Sequence, residues 1–148
     1  MDRVYLDMCC LKRPFDDQRQ ARVREEATAV AAIIARAEDG QIALVRSPAH
    51  LVENDAYPQE DRRLAAALWI NRAAVDVRLD ADGEARAASL AALGFRPLDA
   101  LHLALAERAG AQWFVTCDDD VLTRAVRVAD ALRIAVIAPG TLSARGDS

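Results

Sequence analysis

Apolar residues along this chain fall into two rhythms, short continuous or alternating runs and longer stretches with three- and four-residue steps. The first kind marks β-strands and the second amphipathic helices. Val4, Tyr5 and Leu6 form a β-prone run that stops at Asp7, and residues 13–17 read as a loop because Pro14 and the Asp16, Asp17 pair favour turns. Over residues 20–37 the positions Val23, Ala27, Val30, Ile33, Ile34 and Ala37 predict a long helix, which Asp39 and Gly40 stop. Ile42, Ala43, Leu44 and Val45 predict a second strand, after which Ser47 is an N-cap and Pro48 the first residue of a helix carrying Glu53. Tyr57 and Pro58 interrupt it, and residues 60–74 resume helical spacing through Leu64, Ala67, Leu68 and Ile70.

Val75, Val77 and Leu79 alternate with Asp76 and Arg78, a period-two strand signal. Asp80 then caps a helix that Gly94 ends, with Gly83 weakening its first turn. Pro97 opens the next helix, whose buried stripe is Leu98, Leu101, Leu105 and Ala109, with Asp99 in its first turn and Gly110 beyond its end. Trp113, Phe114 and Val115 predict a strand, the Asp118, Asp119, Asp120 run a turn and cap, residues 121–132 a helix and residues 134–137 the last strand. From Pro139 onward the chain reads as a frayed tail.

Strand and helix alternate throughout, and parallel strands need crossover connections of this kind. The pattern therefore predicts an α/β fold, a three-layer α/β/α sandwich around a central, mainly parallel sheet. A single domain spans residues 1–140, with 141–148 a flexible tail. The length of 148 residues suits one domain with its own apolar core. Ligands of such sheets bind beyond the carboxyl ends of the strands, so acidic residues placed there are informative.

The net charge of -4 excludes a protein held on nucleic acid by a general excess of base, so any such contact is local. Lys12 is the sole lysine among 19 basic residues, an arginine bias that suits phosphate contact but fits GC-rich coding better. Three cysteines, with Cys9 and Cys10 adjacent, imply no disulfide framework. No charged-then-apolar leader precedes Asp7 and no apolar run has membrane-spanning length, which makes a reducing cytoplasm the expected compartment.

Asp7 follows the first strand and Asp118 lies just beyond the strand at Trp113, so both are expected at one edge of the sheet. Asp99 opens a helix and Glu53 sits on the helix after the second strand. Singly, each has a plain structural role as strand terminator, helix-end charge, cap or solvated side chain. Brought together, four carboxylates would repel and raise one another's pKa unless a cation relieved them. Oxygen donors without a His/Cys cluster suit Mg²⁺ or Mn²⁺, whose bound water can attack a phosphodiester.

Val4 to Cys10, Ser47 to Glu53, Pro97-Leu98-Asp99-Ala100 with its Ala-rich helix, and Phe114-Val115-Thr116-Cys117-Asp118 together resemble the PIN domain, in that family's order and over nearly the whole chain. The resemblance implies an endonuclease acting on single-stranded RNA with Mg²⁺ or Mn²⁺, a homodimer, and often the toxin of a VapC-like pair with an antitoxin protein as partner. It also implies Asp7, Glu53, Asp99 and Asp118 as catalytic, metal-holding acids, with Thr116 as a supporting hydroxyl. Met8, Cys9 and Cys10 depart from the Thr, Ser or Asn common after the first Asp. Asp118 is the acid expected to face the pocket, Asp119 its reserve and Asp120 a helix cap. A catalytically weak RNA-binding or regulatory protein is the alternative, and a phosphatase with the same pocket a third.

Cys9 and Cys117 follow two different strands; buried packing is their favoured role, with a redox or soft-metal pair as the alternative. His102, one turn after Asp99 and within reach of it, reads as a helix-surface or packing histidine, and His50 lies similarly one turn before Glu53. Lys12 and Arg13 are phosphate candidates, Arg124 and Arg127 weaker ones, and Trp69 and Trp113 core or interface residues.

Overall fold

A computed structural model of the chain, describing residues 1–145, contains five strands: β1 (Asp2–Leu6), β2 (Ile42–Arg46), β3 (Val75–Asp76), β4 (Trp113–Val115) and β5 (Ala135–Ile137). Every pairing is parallel and the sheet order is β3-β2-β1-β4-β5. β1 therefore lies at the centre, with β2 on one side and β4 on the other, and the chain changes direction of travel across the sheet there. That reversal opens a crevice at the carboxyl ends of β1 and β4. The eight α-helices are α1 (Met8–Lys12), α2 (Ala21–Glu38), α3 (Pro48–Asp55), α4 (Glu60–Arg72), α5 (Ala81–Ala92), α6 (Pro97–Arg108), α7 (Asp119–Arg127) and α8 (Pro139–Arg145).

Side chains of a strand point alternately to opposite faces, and this sorts the core into two halves. Val4, Leu6, Leu44 and Val115 pack with Val30, Ile33, Ile34 of α2, Ile70 of α4 and Leu142 of α8. Tyr5, Val45 and Phe114 face the other way, onto Leu90 of α5, Leu103 to Ala106 of α6, and Val121 and Ala125 of α7. The three-layer α/β/α sandwich follows from these two apolar faces of one sheet.

Several local expectations are corrected. The loop after Asp7 begins with a helix, α1, too short for periodicity to reveal. In α6 the fully buried residues are Ala100 and His102 to Ala106, whereas Leu98 and Leu101 are half-buried, because this helix is enclosed on more than one side. In α4 the predicted stripe is turned outward in part: Leu64 and Leu68 are exposed, and Ala66 and Ile70 face the core. α7 ends at Arg127 and a 3₁₀ turn, Ala129–Ala131, follows it. Pro139 does not begin a tail over residues 139–145, where it starts α8 and Leu142 is buried in the core; the remainder of the expected tail lies outside the described residues. Among the described residues no helix is long and apolar enough to cross a membrane.

Candidate metal centre

Asp7 leaves β1 at its carboxyl end, where its own N–H donates to Val115 O at 2.9 Å and so holds it to β4. Its side chain is buried and caps α1: Oδ1 accepts from the Met8 N–H at 2.9 Å, and Oδ2 accepts from the Thr116 hydroxyl at 2.8 Å. Both donors are neutral and leave the carboxylate charge uncompensated. Loss of solvent, more than any other cause, pushes the Asp7 carboxyl up to about 7, and the nearby Cys9 and Glu53 add to it against the opposing effects of His102 and Thr116. A desolvated carboxylate in this state attracts a cation.

Glu53 approaches from α3 on the other side. Ligand atoms of Asp7, Glu53 and His102 lie within 4.8 Å of one another. His102 is fully buried, with Nε2 2.9 Å from Glu53 Oε1 and Nδ1 2.5 Å from the Tyr5 hydroxyl, itself 2.6 Å from Ser47 Oγ. A carboxylate only accepts, so Nε2 carries the proton it donates to Glu53. Nδ1 shares a hydrogen bond with the Tyr5 hydroxyl, which shares another with the Ser47 hydroxyl. Both ring nitrogens are thus engaged, and His102 orients Glu53 instead of competing for a cation. His50 supports the same corner: its Nε2 donates to Leu6 O at 2.7 Å, its Nδ1 accepts from the Ser47 N–H at 3.2 Å, and burial holds it down at about 4, so the ring is neutral.

The Ser47–Tyr5–His102–Glu53 chain was not legible in the sequence, since Tyr5 reads as an apolar strand residue and His102 as helix packing. Its weight is testable. Tyr5→Phe strands a buried ring nitrogen and a serine hydroxyl, at an expected loss of about 1–3 kcal/mol in denaturant unfolding at unchanged m-value. An unchanged midpoint would show that the relay contributes nothing.

Asp99 and Asp118 lie outside the 4.8 Å group. They are its neighbours electrically: partial burial first, then the charges of Asp7 and Asp118, raise the half-buried Asp99 to about 6, against Arg96 and His102. Asp118 caps α7, its Oδ1 accepting from Asp120 N at 2.8 Å and Val121 N at 3.4 Å, so the cap is Asp118 and not Asp120. Asp119 instead forms a bidentate pair with Arg22, and Asp120 pairs with Arg96 at 2.8 Å. Thr116 links the strands of the centre, donating to Asp7 and accepting from Asp118 N at 3.1 Å.

Two clefts flank the acids. One, of about 410 Å³, is lined by Cys9, Lys12, Asp16, Glu53, Ala56 and Tyr57, with the Lys12 ammonium 3.3 Å from the Tyr57 ring centre. The other, of about 330 Å³, contains Asp99, Arg96, Arg124 and Arg127. Gly94 permits that cleft's shape, because its φ is +108° and a Cβ there would lie 2.8 Å from Arg124 Cζ. Arg13 is engaged elsewhere, paired with Asp16 and Glu26.

Compared with known proteins, the chain matches the family model of the PIN domain over residues 19–128, a span that contains Glu53, Asp99 and Asp118 and begins after Asp7. Its fold is similar to a solved structure described as the crystal structure of FitAcB from Neisseria gonorrhoeae, with a TM-score of 0.52 at 14% identity over 92% of this chain and 97% of that one. No curated protein matches the sequence.

Proposed function

Because the chain belongs to the PIN-domain family, whose members are generally nucleases, we propose that it is a metal-dependent endoribonuclease hydrolysing phosphodiester bonds of single-stranded RNA. The observation that carries this reading is the Asp7 and Glu53 pair, held within 4.8 Å, one oxygen source desolvated by burial and the other oriented by a histidine. The donor set fits a hard cation of the Mg²⁺ or Mn²⁺ class, since it offers carboxylate oxygen and its neutral donors leave negative charge to be balanced. Asp7 and Glu53 would hold the ion, with Asp99 and Asp118 at its margin. Bound there, such an ion supplies a water activated for attack on phosphorus. Thr116 fixes the Asp7 carboxylate, His102 fixes Glu53, and Lys12 on one side with Arg96, Arg124 and Arg127 on the other offers positive charge to backbone phosphates.

The test is cleavage of an end-labelled single-stranded RNA with Mn²⁺ or Mg²⁺ at millimolar concentration. Expected are metal-dependent cuts that a chelator abolishes, together with a rise in melting temperature when metal is added, because a ligand specific to the native state stabilises it. Absence of both cleavage and thermal protection would overturn the reading. RNA bound but uncut would favour a regulatory protein, and hydrolysis of a small phosphomonoester alone would favour a phosphatase.

The same reading makes the chain a cytoplasmic toxin of a VapC-like pair, acting as a homodimer and neutralised by an antitoxin protein. Exposed Leu51 and Val52 on α3 with Leu64 and Leu68 on α4 supply apolar surface of the kind such contacts bury.

A further inference from the structure

We propose that Cys9, Cys10 and Cys117 form a binding site for one thiophilic cation of the zinc(II) class, set beside the carboxylate centre and chemically distinct from it. Packing accounts for one buried thiol; it does not account for three whose sulfurs all lie within 4.8 Å of one another. Cys10 Sγ and Cys117 Sγ are 3.7 Å apart. With zinc–sulfur bonds of about 2.3 Å, sulfurs on a tetrahedral ion are separated by about 3.8 Å and on a trigonal one by about 4.0 Å, so the spacing observed is that of two ligands on one ion.

The scaffold is rigid where it matters. Cys9 and Cys10 occupy the first turn of α1 and Cys117 the loop after β4, and these segments are tied together by the β1–β4 register and the Asp7 N–H bond to Val115. Cys9 Sγ accepts from the Cys117 N–H at 3.2 Å, a donor that favours a sulfur carrying negative charge. Three thiolates on a divalent ion leave one net negative charge. Half-exposed Cys9 lines the cleft that also holds Lys12 and Glu53, which gives an ion a way in and leaves room for a fourth ligand such as water. On binding, the thiols release their protons to solvent. Thr116 connects the two centres, because its hydroxyl donates to Asp7 and lies 3.4 Å from Cys9 Sγ. The sulfur site stands whether or not the carboxylates cut RNA.

Cadmium(II) is the probe. Titrated into the reduced, chelator-treated full chain, it is expected to produce a sulfur-to-metal absorption in the ultraviolet that saturates at one ion per chain, and to shield all three thiols from a thiol reagent. Zinc(II) in large excess should compete with it and lower the absorption. Cys10→Ala and Cys117→Ala should weaken binding by at least about 100-fold, while Asp7→Asn leaves the absorption unchanged. No absorption, thiols that stay reactive, or a signal indifferent to Cys10→Ala would overturn the proposal. So would a Cys10–Cys117 disulfide forming under mild oxidant in a protein that binds no cadmium. Should a variant fail to fold, stoichiometry and thiol shielding in the unaltered chain decide the matter.

Discussion

Asp7→Asn should reduce metal-dependent RNA cleavage by more than about 100-fold and, in the same protein, raise the melting temperature measured in chelator at pH 8. Loss of a partner that only orients a ligand costs 10- to 100-fold, so loss of the buried carboxylate itself sets that range as a floor. The stability gain comes from the sign of the titration. The Asp7 carboxyl titrates at about 7 in the folded chain against an ordinary value of 3.8, so the native state binds a proton that the unfolded state has released. Its stabilising contribution is complete below about pH 4 and is lost as pH rises through 7, a penalty of about 4 kcal/mol at alkaline pH without metal. Asparagine keeps the shape: its Oδ1 accepts from Met8 N, and its amide faces Thr116, whose oxygen can accept. The difference between the stability curves of the two proteins should therefore widen from pH 4 to 7, while the neutral His50 ring, common to both, drops out. A variant that melts lower than the parent in chelator at pH 8 would refute the desolvated-carboxylate account.

The second large effect is remote from the centre. Glu107 of α6 is nearly sealed from solvent, its side chain 3% exposed, and carries a bidentate pair to Arg86 of α5 at 2.7 and 3.1 Å. It also accepts from Arg133 N at 2.8 Å just before β5, and Arg86 reaches Ala131 O at 2.6 Å. One ion pair thus joins two helices to the edge of the sheet. Arg86→Leu leaves a buried carboxylate without its cation and should cost about 3–5 kcal/mol in urea unfolding. Adding Glu107→Leu removes the stranded charge, and the double variant should recover most of that loss. Strict additivity of the two changes would show that the pair is not coupled.

The layout of strands and helices was readable because nearly every element is long enough to show its period and is bounded by a residue with a mechanical reason to be there, Pro48, Pro97, Gly94 and Gly110 among them. The elements that escaped, α1 and α8, span five and seven residues, too few to repeat a helical pattern. Burial on a helix face was harder. Leu64 and Leu68 match an inward stripe and turn outward, and α6 is enclosed so fully that its alanines, not its leucines alone, carry the packing. Asp7 and Glu53 were recognisable as strand-end and helix-borne acids, but their proximity depends on β1 lying between β2 and β4, which no local pattern encodes. Cys10 was overlooked beside Cys9 for a related reason. Neighbours on a helix point about 100° apart, and only the return of β4 brings Cys117 within reach of both.

The central position of β1 also governs when the carboxylate corner can assemble during synthesis. One flank of that strand is secured early, by β2, but the other waits for β4, more than a hundred residues downstream. Until Thr116 emerges from the ribosome, Asp7 has neither its hydroxyl partner nor the strand that fixes its backbone. The carboxylate corner of a nascent chain therefore stays unassembled until late in synthesis, and the order of translation acts as its timer.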